Sequence, residues 1–308
     1  MDSMWLSNTL LPALIAAAVL LLVLWPTKQS GRRLLRNWGL AEPTEQQIAV
    51  AVRYLWQRRI LYVVLIVALP PAVSLVLPAV DNNPWPANIV VLLLAAMLIA
   101  ELVAVVRPVR GVRVASLDPR GWRDLVPRWA VVVLAGLASV VVALVVLGLA
   151  AQPWADRYAA ELPAGGSREA VESDLGTQTR LVEPTGWATL AGVVVCLAVV
   201  AVVVLLAVRR PAVADPAVDA ALRTRTARVA VGIGMGWLAG LVFEAQSRLG
   251  FLLTAGAGVG RVPDRPGWLD SGLGPIYDIL GFAVFVVAVG CWLLVAAPSR
   301  GALARSGR

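Results

Sequence analysis

The chain of 308 residues contains no histidine, which removes the commonest general base and the commonest transition-metal ligand. Its two cysteines, Cys196 and Cys291, both fall inside apolar runs, so they read as small buried hydrophobes rather than as a disulfide or redox pair. Motifs with chemistry are missing too: there is no G-x-S-x-G elbow, no H-E-x-x-H helix, no phosphate loop and no CxxC, and no loop has the alternating oxygen ligands of a calcium site. No catalytic residue, cofactor or metal is expected, and the chain is expected not to be an enzyme. Charged residues are scarce at 15%, hydrophobic residues make up 59% and mean hydropathy is +0.78, which excludes a separate soluble core and a basic nucleic-acid-binding module.

What is present is a series of long apolar runs. Seven can be counted, at about 5–25, 60–80, 87–106, 129–151, 187–208, 229–248 and 276–295. Each is near the roughly 20 residues a helix needs to cross about 30 Å of hydrocarbon. The first run lacks a basic start and a small-residue cleavage site, so it is expected to remain as a helix rather than be removed as a signal peptide. When the loops between runs are numbered alternately, 21 of the 27 basic residues fall on one side, including Lys28, Arg32, Arg33, Arg36, Arg53, Arg58, Arg59, Arg223, Arg225 and Arg228. Short basic loops resist translocation. The expectation is therefore an all-α polytopic protein, residues 1–308 forming a single transmembrane domain of seven helices with the N-terminus outside and the C-terminus cytoplasmic. Anionic lipids at the cytoplasmic face are the expected partners of those cations.

Two loops have character of their own. Residues 26–59 read as a cytoplasmic loop ending in a juxtamembrane amphipathic helix, because Thr44 and Gln47 have capping-box spacing and Ile48, Val52 and Leu55 recur at helical intervals. Residues 152–186 read as an acidic extracytoplasmic loop, while Leu249 to Pro275 is glycine- and proline-rich and a candidate for re-entry into the membrane. Tryptophans at the ends of runs, Trp5, Trp25, Trp56, Trp129, Trp154 and Trp187, suit an interfacial belt.

Glu101 is the most informative single residue, since an ionisable group inside the hydrocarbon is costly and marks a functional candidate by default. Two roles fit: a structural carboxyl, either paired with an arginine from a neighbouring helix end or protonated and satisfied by a backbone carbonyl, or a proton- or cation-handling site. Glu244 joins it in the candidate intramembrane polar site because the uncharged stretch before it is too short to span, and Arg248 follows one turn later in the favourable order of acid before base. Gly232, Gly236 and Gly240 form a small-xxx-small seam for helix packing, either within the chain or in a homodimer. Pro70 and Pro71, in mid-run, are a candidate hinge.

The stretches Trp38-Gly39-Leu40-Ala41-Glu42-Pro43-Thr44, Arg53-Tyr54-Leu55-Trp56-Gln57-Arg58-Arg59 and Arg123-Asp124-Leu125-Val126-Pro127-Arg128-Trp129 resemble multi-pass integral membrane proteins of high-GC, actinobacterial type. The resemblance implies residence in a bacterial plasma membrane and carries no active site, because that group has no assigned function. A sensory or accessory membrane subunit, with a membrane protein partner, is the expected role. A small secondary transporter, proton- or cation-coupled through Glu101, is the alternative.

Overall fold

The computed structural model describes residues 25–76, 86–106, 121–161, 185–209, 215–254, 266–269 and 274–297, with Ile15 alone before them. Apart from Ile15 and Trp25, the first run at 5–25 lies outside the described residues, as does most of the acidic loop. Eight helices account for almost everything described: α1 Lys28–Asn37, α2 Glu45–Val76, α3 Pro86–Val106, α4 Trp122–Leu125, α5 Arg128–Glu161, α6 Thr185–Arg209, α7 Pro216–Thr254 and α8 Gly274–Ala296, with a short 3₁₀ turn at Gly267–Leu269. There is no strand among the described residues. The protein is all-α. Four helices, over Arg128–Ala160, Gly186–Arg209, Pro216–Leu253 and Ile279–Ala296, are long and apolar enough to cross a membrane, and Leu93–Val106 is a shorter apolar helix.

Local chemistry explains where several helices start and stop. At Thr44 the hydroxyl accepts the Gln47 N–H at 3.3 Å while the Gln47 side chain accepts the Thr44 N–H at 2.8 Å, satisfying two donors that a helix start would otherwise leave open. Thr27 and Ser30 repeat the device ahead of α1. That helix ends in a Schellman turn: Gly39 has φ 113°, Leu40 N–H reaches Leu35 O at 2.9 Å, and Gly39 N–H reaches Arg36 O at 3.3 Å. Asp215 caps α7, accepting the N–H groups of Ala217 at 3.0 Å and Val218 at 3.2 Å, with Pro216 pre-set at the first helical position.

The chain divides into two compact units, one of residues 1–134, 196–237 and 290–308 and the other of residues 135–195 and 238–289. In the first, α1 lies on α2 and α2 runs along α3. Leu35, Ile48, Ala51, Val218 and Leu222 form a buried cluster that joins α1, α2 and the start of α7. Gly31 permits the approach of α1, since a β-carbon there would meet Val52 Cγ2 at 2.7 Å and the Ile48 carbonyl at 3.2 Å. α1 was not foreseen from the sequence. Its cations Arg32, Arg33 and Arg36 stay exposed while Gly31 and Leu35 turn inward.

In the second unit the described helices overrun the expected span ends. α5 continues to Glu161, ten residues past the limit read from the apolar run, and it carries Pro153 within it. The reason is an amphipathic continuation: Ala151, Trp154, Ala155, Tyr158 and Ala159 recur on one face and pack with Leu249, Leu252, Leu253 and Leu269. Trp154 and Tyr158 stack with centroids 5.5 Å apart. Trp154 is therefore a core residue at 1% exposure, not part of an interfacial belt, whereas Trp25, Trp56, Trp129 and Trp187 are exposed. α7 likewise runs through to Thr254, so the first residues of the glycine-rich segment continue the helix. Residues 255–265 and 270–273 lie outside the described residues.

α7 has 39 residues, about 58 Å at 1.5 Å per residue, nearly twice the hydrocarbon thickness. Its most apolar stretch is 83% buried, against 17% for α8. A helix apolar on all sides needs apolar surroundings on all sides. α7 finds them in protein, while α8 shows Ile279, Phe282, Val287 and Leu294 on its exposed face.

Candidate functional site

In the first unit, α2, α3 and α7 bring together a set of polar side chains at the end of the apolar segments. Tyr54, Arg58 and Tyr62 stand four residues apart on α2 and so share one stripe. Glu101 lies near the end of α3, and Arg225 and Thr226 lie on α7. Arg58 forms an ion pair with Glu101, the two side chains being 3% and 0% exposed. The Tyr62 hydroxyl donates to the other carboxylate oxygen of Glu101. Arg58 also donates from Nη2 to Thr226 Oγ1 at 3.0 Å, and the Thr226 hydroxyl donates in turn to Leu222 O at 2.8 Å. The Tyr54 hydroxyl lies 3.0 Å from Thr226 Oγ1 and accepts from Arg225 Nη1 at 3.0 Å.

Tyr54 sits between two cations, with the Arg58 guanidinium 4.5 Å and the Arg225 guanidinium 5.3 Å from its ring centroid. Burial acts to raise the ionisation of its phenol, but Arg58 and Arg225, with the hydrogen bonds to Thr226 and Arg225, bring it below the ordinary tyrosine value. A charged pair taken out of water is stable only when its remaining hydrogen-bonding capacity is met. Tyr62 and Thr226 meet part of it here, and the Tyr54 ring lies against the Arg58 guanidinium.

Neighbouring cations of α7 are also committed. Arg223 pairs with Asp219 at 2.6 Å with both side chains buried and donates to Val208 O at 3.2 Å, satisfying a carbonyl at the end of α6. Arg228 donates to Leu125 O at 3.3 Å and stacks on the Trp38 ring at 5.5 Å. Gln47 ties the start of α2 to the start of α7 through Asp215 Oδ2 at 2.6 Å. That hydrogen bond, against the opposing effect of burial and with help from the Val218 and Ala217 N–H groups, holds the Asp215 carboxyl below the usual range.

The other residues singled out in the sequence are placed elsewhere. Glu244 is half-buried, and Arg248 donates to Gln152 Oε1 at 2.9 Å in the second unit, whereas Glu101 belongs to the first. Gly232 and Gly236 face Trp292 of the same chain. A β-carbon on Gly232 would run into the indole, and one on Gly236 would meet Trp292 Cε3 at 3.1 Å and Leu94 Cδ1 at 3.3 Å. Gly240 is buried. α2 remains helical through Pro70 and Pro71. In the second unit, Gly281 leaves room for the Gln246 amide, which a β-carbon would overlap, and Gln246 Nε2 donates to Tyr277 O at 2.6 Å.

No group of three potential metal-ligating side chains occurs among the described residues. Arg58, Tyr62, Tyr54, Thr226 and Arg225 were not singled out from the sequence, although the four-residue spacing of Tyr54, Arg58 and Tyr62 is a legible sign of a polar stripe entering an apolar helix. Their partners on α3 and α7 are not legible there. No family model, no curated protein and no solved structure matches the chain.

Proposed function

We propose that the chain is a multi-pass protein of a bacterial plasma membrane that does no chemistry of its own and serves as a sensory or accessory subunit beside a membrane partner. In this reading seven helices span the bilayer, the N-terminus is outside and the C-terminus is cytoplasmic. The supporting observation is the condition of Glu101. Its carboxylate is wholly buried and engaged by Arg58 and by the Tyr62 hydroxyl. A carboxylate that drives transport has to exchange its proton or ion between two states, whereas one held by a guanidinium and a phenol ties helices together. The Glu101 cluster then works as an ionic clasp among α2, α3 and α7.

One feature favours a proton-coupled carrier instead: the Tyr62 hydroxyl bonded to Glu101 is a proton donor in direct contact with a buried carboxylate. Purified protein in sealed vesicles under an imposed pH gradient separates the two. The expected result is no proton-coupled uptake. Robust uptake by the parent that disappears in a normally inserted Glu101→Gln variant would establish the carrier and end the accessory reading. Isolation of the chain with its neighbours from native membranes then identifies the partner subunit.

A further inference from the structure

On the surface of the first unit, α1 and the first turns of α2 border a groove of about 610 Å³, none of whose lining belongs to the Glu101 cluster. Its floor is apolar, made by Ile48, Ala49 and Val52, and Trp56 stands exposed toward one end. The α2 residues recur at helical spacing, so the lining follows one face of that helix from Glu45 to Gln57, about 18 Å at 1.5 Å per residue. The rim is cationic. Glu45 is shared by Lys28 at 3.9 Å and Arg32 at 3.1 Å, while Arg53 forms no ion pair among the described residues. Arg33 and Arg36 extend the positive charge along the exposed side of α1. An apolar floor edged by cations is complementary to a helix with one apolar face and carboxylates beside it.

Lipid reaches only part of this surface. Glu45 stands fifteen residues before Ile60, where the apolar run begins, about 22 Å along the helix, whereas headgroups add only about 5–8 Å to each side of the hydrocarbon. The floor at Ile48 and Ala49 therefore stands clear of lipid, and apolar surface left in water marks a protein contact. This chain does not supply the counterpart. Residues 1–24 hold one charged residue, Asp2, and residues 298–308 hold three arginines and no acid. Asp215 and Asp219 are engaged by Gln47 and Arg223, Asp124 binds the Gly121 N–H, and Glu42 and Asp118 stand singly in the sequence. A second copy thus offers no acidic helical face on the expected cytoplasmic side, and the acidic stretch 152–186 belongs to the opposite one.

We propose that the groove between α1 and α2 is the docking site for an acidic amphipathic helix of the partner subunit, with its apolar face on Ala49, Val52 and Trp56 and its carboxylates toward Arg53 and Lys28. The proposal rests on the accessory reading. The two fail separately: proton-coupled uptake ends the accessory reading without changing peptide binding, and absence of peptide binding leaves the uptake result as it stands.

The test uses the full-length chain in phosphatidylcholine nanodiscs and two fluorescein-labelled synthetic helices with the same leucine face, one flanked by glutamates and the other by lysines. Fluorescence anisotropy is expected to show the acidic helix bound at least about ten-fold more tightly than the basic one. Ala49→Trp, which fills the floor from an exposed position, abolishes that binding, and Arg53→Glu removes the preference. Val50→Trp adds a tryptophan at an exposed position of α2 outside the groove and leaves binding unchanged. Should Ala49→Trp fail to fold, Arg53→Glu on the exposed rim decides alone. In native membranes a photo-crosslinking side chain in place of Ala49 reports the occupant, expected to be a segment of another protein rich in aspartate and glutamate with apolar residues at helical spacing. Equal binding of the two helices, undiminished binding by Ala49→Trp or by Arg53→Glu, or a crosslink to lipid or to this chain overturns the proposal.

Discussion

Arg58 on α2 and Glu101 on α3 form an ion pair that is almost entirely sealed from solvent. A buried pair that loses one partner leaves the other charge uncompensated, at a cost of about 3–5 kcal/mol, whereas replacing both with apolar groups is often close to neutral. Arg58→Met and Glu101→Met are each expected to destabilise the detergent-solubilised protein by that amount, and the double variant to recover most of it. Thermal or denaturant unfolding of the four proteins checks the cycle. Additive losses would mean that the two residues act independently.

The glycine seam gives a second test, with a control chosen by the structure. Ala239, which shares the helix with the glycines, is fully buried, so it is no reference for a lipid-facing site. Gly148 on α5 is one, since a β-carbon there meets nothing within 4 Å. Gly236→Leu drives a branched side chain into Trp292 and Leu94, and overpacking of this kind costs about 1–3 kcal/mol or more. Gly148→Leu is the same chemical change in open space. A clear loss of melting temperature is expected for the first and little change for the second; equal behaviour would refute the contact with Trp292.

Asp215 links one helix start to acid stability. Its folded carboxyl ionises below the ordinary range, chiefly through Gln47. A depressed carboxyl contributes stability at pH values above its unfolded value of about 3.9, and that contribution is lost as the pH falls through the lower folded value. Asp215→Ala removes the cap at a cost of about 0.5–2 kcal/mol near neutrality. The gap between parent and variant is expected to narrow as the pH falls below the unfolded value and through the lower folded one. Circular dichroism melts across that range measure it, and a constant gap would contradict the ionised cap.

Topology is tested with single cysteines in a background lacking Cys196 and Cys291. Substitutions at Asp81, Ser167 and Trp268 are expected to react with an impermeant thiol reagent in intact cells, and those at Arg36 and Arg120 only after lysis. Arg223, an attractive third cytoplasmic position on sequence grounds, is buried against Asp219, so the exposed Arg53 takes its place. Labelling of Arg36→Cys in intact cells would reverse the proposed orientation.

The sequence by itself determined the apolar length of the helices, their type and some of their starts. Apolar length and periodicity are properties of consecutive residues, and the Thr44–Gln47 capping box closes within three residues, so both can be read without knowing any neighbour. By apolar length alone α5 would end at residue 151, where the apolar run ends. The face made by Trp154 and Tyr158 continues as helix only because Leu249, Leu252, Leu253 and Leu269 are present to cover it. Glu101 stood out on the cost of a charge in an apolar run, yet any of the clustered arginines had the charge to answer it. Only the packing of α2 against α3 and α7 selected Arg58 and enclosed the pair with Tyr62 and Thr226. Pairings of that kind depend on which distant segments meet, and it is the fold that brings them together.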